Sequence, residues 1–293
     1  MRMHFLGSKK LVLSVAVNVI LALALVLLLY LVYPQFVYEL DSVSNWSRYI
    51  VRTYKRYEGG DAYFEVLMGS KNELRQPQVR RRIYSYSGQE AFSVESIGSD
   101  VTGDSVPNLV IRQRGAGAHG DSRYLVLEID GSSVKKIDVI DGLLDVELLD
   151  LDDDGIDEIT GRDKAYSYFG GDSHAASPLP LVVLSFDKAQ GKFVPDKELM
   201  SKPPFTPDRL NELSLKYKTD TRWSKESRPP SELFAAVLEL IYSGNEKQAR
   251  ELLDASWPDV PEIPKAEYQK ELESNTRRNP FYPAITEWNE EKL

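Results

Sequence analysis

The chain has 293 residues and a formal net charge of −9, no cysteine, and three histidines at positions 4, 119 and 174. Lack of cysteine excludes disulfides, thiolate zinc sites, cysteine nucleophiles and a lipidated cysteine, and so few histidines argue against a multi-histidine metal site. The acidic balance offers no basic field for phosphate backbones, so no nucleic acid is expected as a partner.

In chain order, residues 1–10 read as a cytoplasmic tail and 11–33 as a transmembrane signal anchor. Leu11 to Tyr33 is almost wholly apolar, with Ser14 and Asn18 as its clearly polar residues and no charge before Glu39. Such a helix reaches about 34 Å, enough to cross the roughly 30 Å hydrocarbon core. Arg2, Lys9 and Lys10 precede it, which keeps the N-terminus cytoplasmic. Tyr30, Tyr33, Phe36 and Tyr38 place aromatics at the far interface. The rival reading, a cleaved signal peptide, would need a shorter apolar region and a small-residue cleavage site. The expected location is therefore the inner (cell) membrane, single-pass, with the bulk of the chain outside the cytoplasm. Without the three basic residues of the tail, the remainder carries −12.

Residues 34–60 are expected to hold a juxtamembrane helix over 41–58, capped by Asp41 or Ser42, with Val43, Trp46, Ile50, Tyr54 and Tyr57 at helical spacing. Its apolar stripe suits either the membrane surface or the β domain. Asn45-Trp46-Ser47 is a glycosylation sequon, relevant in a glycosylating pathway. Gly59-Gly60 ends this stretch.

Residues 61–197 read as a β domain. Tyr63–Met68 and Ile83–Tyr86 have strand character, and Arg80-Arg81-Arg82 reads as an exposed strand edge. The most informative stretch is Asp150-Leu-Asp152-Asp-Asp154-Gly155-Ile156-Asp-Glu158. Carboxylates at loop positions 1, 3, 5 and 9 converge while Gly155 permits the positive φ of the turn, and hard oxygen donors at this density suit Ca²⁺. The Ile156 carbonyl stands at position 7. The alternative is an acidic solvated turn between two strands. An EF-hand is excluded, since position 12 is Gly161 and strands flank the loop. A second loop, Asp100, Thr102, Asp104 and Asn108, repeats positions 1, 3, 5 and 9 with Ser105 at position 6. With two charged donors this weaker second site should bind less tightly than the first, or not at all.

The likeness continues past the loops. Gly120-Asp121-Ser122 and Gly171-Asp172-Ser173 each precede a strand, Tyr124–Ile129 or Leu181–Phe186, followed by a turn and a second strand. A repeated unit of this kind sets the architecture. On these residues the chain resembles FG-GAP and VCBS-type repeats, the integrin-α-like β-propeller blades, over about residues 90–197. The resemblance implies Ca²⁺ sites at Asp150, Asp152, Asp154, Ile156 and Glu158, and at Asp100, Thr102, Asp104 and Asn108. It departs from that family in lacking the Phe-Gly…Gly-Ala-Pro signature and in showing two repeats where a closed propeller usually needs at least four. The expectation is an open sheet or sandwich, with an incomplete propeller of degenerate flanking blades as the alternative.

Two Gly-rich loops, 115–122 and 170–174, each hold His, Asp and Ser. Adjacency in a loop does not orient a triad, and neither loop has a Gly-x-Ser-x-Gly elbow or a phosphate-binding pattern. Ligand contact is the better expectation for them.

Residues 198–229 read as a Pro-rich linker or strap with a short helix at 208–217. Residues 230–293 read as a helical tail. Ser231 caps a helix to Tyr242 whose stripe is Leu233, Val237, Leu240 and Ile241. After Ser243-Gly244-Asn245, a helix over Glu246–Trp257 turns Ala249, Leu252, Leu253 and Ser256 inward. The pair loosely resembles half of a tetratricopeptide-like unit, which cannot bury both faces alone and so docks on the β domain or a partner. Lys265–Arg277 reads as a charged helix, and Phe281, Tyr282, Ile285 and Trp288 as a core strap or an exposed anchor.

The fold expected is mainly β with α: an N-terminal transmembrane helix, an antiparallel β domain of two propeller-blade-like repeats, and a C-terminal helical hairpin region. The function expected is non-catalytic: a membrane-anchored extracytoplasmic calcium-binding protein acting on a protein or glycan of the envelope. Two alternatives stand beside it, a membrane-anchored metal-dependent hydrolase and an accessory subunit of a larger membrane complex.

Overall fold

The computed structural model describes residues 38–56, 61–69, 81–89, 91–115, 122–226, 228–258 and 263–290, with Leu21, Leu23 and Ala24 of the N-terminal segment. Among them no helix is long and apolar enough to cross a membrane. The expected span at 11–33 lies almost wholly outside the described residues.

Short strand-forming runs, some alternating like Leu143–Leu149 and others continuously buried like Asn108–Ile111, build three four-stranded antiparallel sheets, none of them closed, each with its strands in chain order. The first comprises β1 (Tyr38–Trp46), β2 (Tyr49–Arg56), β3 (Asp61–Met68) and β4 (Arg81–Gln89). The second comprises β5 (Ala91–Ile97), β6 (Asn108–Arg114), β7 (Ser122–Asp130) and β8 (Ser133–Asp141). The third comprises β9 (Leu143–Leu149), β10 (Glu158–Asp163), β11 (Leu181–Asp187) and β12 (Lys192–Pro195).

The first sheet corrects the expected helix at 41–58. That stretch is a hairpin, pairing Trp46 with Tyr49 and Tyr38 with Arg56 across a turn where Ser47 has φ 51°. The physical reason lies in Tyr49-Ile50-Val51 and Thr53-Tyr54. β-branched and aromatic side chains are stiff against a helical turn and pack well on a pleated surface. Their three-to-four spacing imitates a helical stripe, but Tyr49, Ile50, Val51 and Thr53 are buried as strand residues. The β region thus begins at Tyr38, not at residue 61, and the strands expected at Tyr63–Met68 and Ile83–Tyr86 join that hairpin in a sheet separate from those of the two repeats. Arg81 and Arg82 lie on the edge strand β4, as expected of a basic edge. Arg82 also pairs with buried Glu65 at 2.7 Å, and Tyr54 donates to the same carboxylate at 2.7 Å. Two charge-assisted bonds offset the desolvation of Glu65.

The chain forms two compact units, 1–92 and 93–293. In the first, Phe64 packs edge-on against Phe92, with ring centroids 5.3 Å apart. In the second, the two remaining sheets and the C-terminal helices share one core. Those helices are α1 (Lys197–Met200), α2 (Pro207–Lys218), α3 (Arg222–Lys225), α4 (Ser231–Tyr242), α5 (Glu246–Ser256), α6 (Lys265–Arg278) and α7 (Tyr282–Glu290).

The predicted stripes of the helix pair are the buried residues. Leu233, Val237, Leu240 and Ile241 of α4 are buried, as are Ala249, Leu252, Leu253 and Ser256 of α5. Ser231 is the first residue of α4, and the cap position belongs to Pro230. The Pro-rich stretch is a strap: Thr206 caps α2 by accepting from the Arg209 amide, and Leu213, Tyr217 and Trp223 are buried. The aromatic tail is core, with Phe281, Ile285 and Trp288 all buried. One buried polar knot fastens helices to the third sheet. Asp163 at the end of β10 accepts from the Tyr242 hydroxyl of α4 at 2.6 Å and from the side-chain amide of Asn279.

Candidate metal centre

Both acidic loops join the first strand of a sheet to its second: residues 98–107 lie between β5 and β6, and 150–157 between β9 and β10. They share one backbone design. The position-1 carboxylate accepts from the position-6 amide, Ser105 N to Asp100 at 2.7 Å and Gly155 N to Asp150 at 3.0 Å. The position-5 carboxylate accepts from the position-7 amide, Val106 N to Asp104 at 2.9 Å and Ile156 N to Asp154 at 2.8 Å. The position-9 side chain accepts from the position-2 amide, Val101 N to Asn108 at 2.8 Å and Leu151 N to Glu158 at 2.9 Å.

Positions 4 and 6 are left-handed in both loops. Gly103 and Ser105 have φ 67° and 64°, and Asp153 and Gly155 have φ 62° and 86°. Each loop places one glycine and one small polar residue in these two slots. Asp tolerates such a φ because its short side chain bonds locally, and Ser105 adopts it within the hydrogen-bonded frame around Asp100. The glycine absent from position 6 of the first loop is thus matched by one at position 4.

In the 150–158 loop, one oxygen from each of Asp150, Asp152 and Glu158 lies within 4.8 Å of the others. Asp150 and Asp152 are exposed, while Glu158 opens β10 and is 4% exposed. This is a buried floor with an open acidic rim, a donor set that could bind a metal ion. Burial pushes the Glu158 carboxyl above its ordinary range, and the charges of Asp152, Asp154 and Asp150 add to this against the Leu151 amide bond. A cation would relieve the repulsion. Asp154 lies outside the three-carboxylate group, its Oδ1 engaged by the Ile156 amide.

In the 98–107 loop three of the expected donors, Asp100, Asp104 and Asn108, surround the fourth, the Thr102 hydroxyl. It donates to Asp104 at 3.0 Å and lies 3.5 Å from Asp100 Oδ1 and 3.4 Å from Asn108 Oδ1. Asp100 additionally accepts from the amides of Thr102 and Gly103, at 3.1 and 2.7 Å. The loop satisfies its carboxylates largely with its own N–H groups.

Sequence reasoning did not place the two loops together. Asp157 N donates to the Asp100 carbonyl at 3.0 Å. The Ile156 side chain fills the space over Gly103, where an added Cβ would meet its Cδ1 at 2.6 Å. Lys188, on the turn between β11 and β12, donates to the Gly103 carbonyl at 2.5 Å. Nothing at Lys188 in the sequence signals this contact, which spans 85 residues.

The 170–174 loop, expected to face a ligand, is tied down instead. Gly170 N donates to Glu271 at 3.1 Å, and Asp172 ion-pairs with Arg228. Most of the 115–122 loop lies outside the described residues. Comparison of the chain with protein families, with curated proteins and with solved structures finds no match.

Proposed function

We propose that this chain is a single-pass, membrane-anchored protein whose extracytoplasmic β region is stabilised by Ca²⁺ and engages a protein or glycan of the cell envelope. The observation that carries the metal reading is the convergence of Asp150, Asp152 and Glu158 within 4.8 Å. All donors are oxygen, and two of the three face solvent, so an ion held there keeps part of its water. Calcium accepts such flexible, partly hydrated geometry, whereas Mg²⁺ demands a tighter octahedron. Abundant calcium outside the cytosol fills weak sites of this kind.

The role is structural and binding rather than catalytic. The ion screens the rim carboxylates and ties β9 to β10, so its binding energy becomes folding energy. The apolar segment at 11–33 supports the membrane anchor, and the charge of the remainder supports a partner other than nucleic acid.

The test is thermal unfolding of the full chain in a membrane mimetic, in EDTA and then in millimolar Ca²⁺ or Mg²⁺. A rise in melting temperature with Ca²⁺ alone, abolished by Asp152→Asn, is the expected result. No Ca²⁺-dependent rise would remove the metal reading and leave the anchored complex subunit as the better account.

A further inference from the structure

A cleft of about 630 Å³ opens in the 93–293 unit between β10, β11 and helices α1, α2 and α4, sharing no lining residue with the acidic loops. Its size falls in the roughly 300–1,000 Å³ range of small-ligand sites. One wall is the small-residue face of α4 at Ala235 and Ala236, and the facing wall is Leu181 and Val183 of β11. Leu181 is 51% exposed, an apolar side chain left in water on a strand that is central to its sheet.

The charges at the rim are unevenly satisfied. Lys202 and Glu239 pair with each other at 2.8 Å, and Glu232 pairs with Arg222 at 2.6 Å. Both cleft carboxylates are therefore engaged. Among the described residues no carboxylate lies at ion-pairing distance from Arg162 or Lys216. Arg162 stands on β10 opposite Leu181, and its Nη1 donates to the Leu179 carbonyl at 3.2 Å. That bond orients the guanidinium from a rigid strand and leaves Nε and Nη2 as a fork suited to a carboxylate. The cleft is thus lined by three cations and two carboxylates, on a chain of net charge −9, with Arg162 and Lys216 left for an incoming anion beside exposed apolar surface.

We propose that this cleft binds an aliphatic carboxylate, its chain laid between Leu181 and the Ala235–Ala236 face and its carboxylate on Arg162, with Lys216 as a second positive charge. A fatty acid or the C-terminus of a peptide ending in an aliphatic residue would supply this chemistry.

The experiment is calorimetric titration of the full chain in lipid nanodiscs, with empty nanodiscs as the reference for partition into lipid. The probes are hexanoate and N-acetyl-alanyl-leucine with a free C-terminus, each against its neutral counterpart, hexanol or the peptide amide. Saturable binding of a carboxylate, at least about tenfold tighter than its neutral counterpart, is the expected result. Preference between the two acids identifies the source. Arg162→Gln should weaken binding about tenfold, and Ala235→Trp should abolish it by filling the cleft. Arg162 and Ala235 are both exposed, so both variants should melt like the parent, and either gives the answer if the other is destabilised. Equal binding of acid and neutral probe, no saturable binding at millimolar acid, or parental affinity in both variants would overturn the proposal.

Discussion

At the scale of single residues, Glu158 is the carboxylate of the 150–158 loop that burial perturbs. It is buried, beside three aspartates, with its carboxyl raised above the ordinary value of 4.5. The ion-free fold then holds a proton there more readily than the unfolded chain does. That contribution to stability is fully present below 4.5 and is lost as pH rises through the raised folded value. Calcium, which needs the carboxylate ionised, should therefore shift the melting temperature strongly at neutral pH and little below 4.5. Glu158→Gln keeps an acceptor for the Leu151 amide and removes the charge. It is expected to raise the ion-free melting temperature by about 2–4 °C while abolishing the calcium response, both read from one pair of melts. Asp163 is the second residue of this kind, fully buried and raised by desolvation despite bonds from Tyr242, Ala165 and Asn279. Asp163→Ala strands all three donors and should cost about 3 kcal/mol or more in denaturant unfolding.

At the scale of elements, the two acidic loops act as a pair. Gly103 needs its positive φ and also leaves room for Ile156, so Gly103→Ala is strained twice. A loss of about 1–3 kcal/mol is expected from the denaturation midpoint, with most of the packing part recovered in the Gly103→Ala, Ile156→Ala double variant. No recovery would show that the loops are not coupled through that contact. The helices are the most legible elements because a stripe at 3.6-residue spacing has one structural meaning when the segment is long and bounded by turns. Leu252, Leu253 and Ser256 are inside for that reason. The stretch at 41–58 misleads because Val43, Trp46, Ile50 and Tyr54 fit a helical period, while the β-branched and aromatic residues among them favour a strand pair. The aromatic tail allows two readings in the sequence, and tertiary packing decides for the core. Trp288 of α7 is 7% exposed, so Trp288→Ala should cost about 3–5 kcal/mol.

At the scale of the whole molecule, the two compact units have separate cores, and the acidic loops belong to the 93–293 unit alone. Calorimetry of the full chain should resolve two transitions, of which only the one belonging to 93–293 moves with calcium. Asp163→Ala and Trp288→Ala should lower that same transition and leave the other in place. A single transition that moves as one body would show that the two cores unfold cooperatively. The cleft at Arg162 and the acidic loops lie in the same unit but share no lining residue, so Arg162→Gln should leave any calcium response intact.

The sequence by itself determined what depends on local spacing. Short apolar runs bounded by turn residues marked most strands of the repeats, the helical stripe marked α4 and α5, and the carboxylates at odd loop positions of 150–158 announced a convergence that includes Asp150, Asp152 and Glu158. These are short-range consequences of backbone geometry, and they survive any arrangement of the rest. The tertiary structure decided everything that joins distant segments. It paired 38–46 with 49–56 against a helical reading, brought Lys188 and Ile156 to Gly103, and set Arg162 beside Leu181 and the face of α4. Those contacts depend on which faces the core leaves over once its apolar area is buried, a property of the assembled sheets that no window of residues contains.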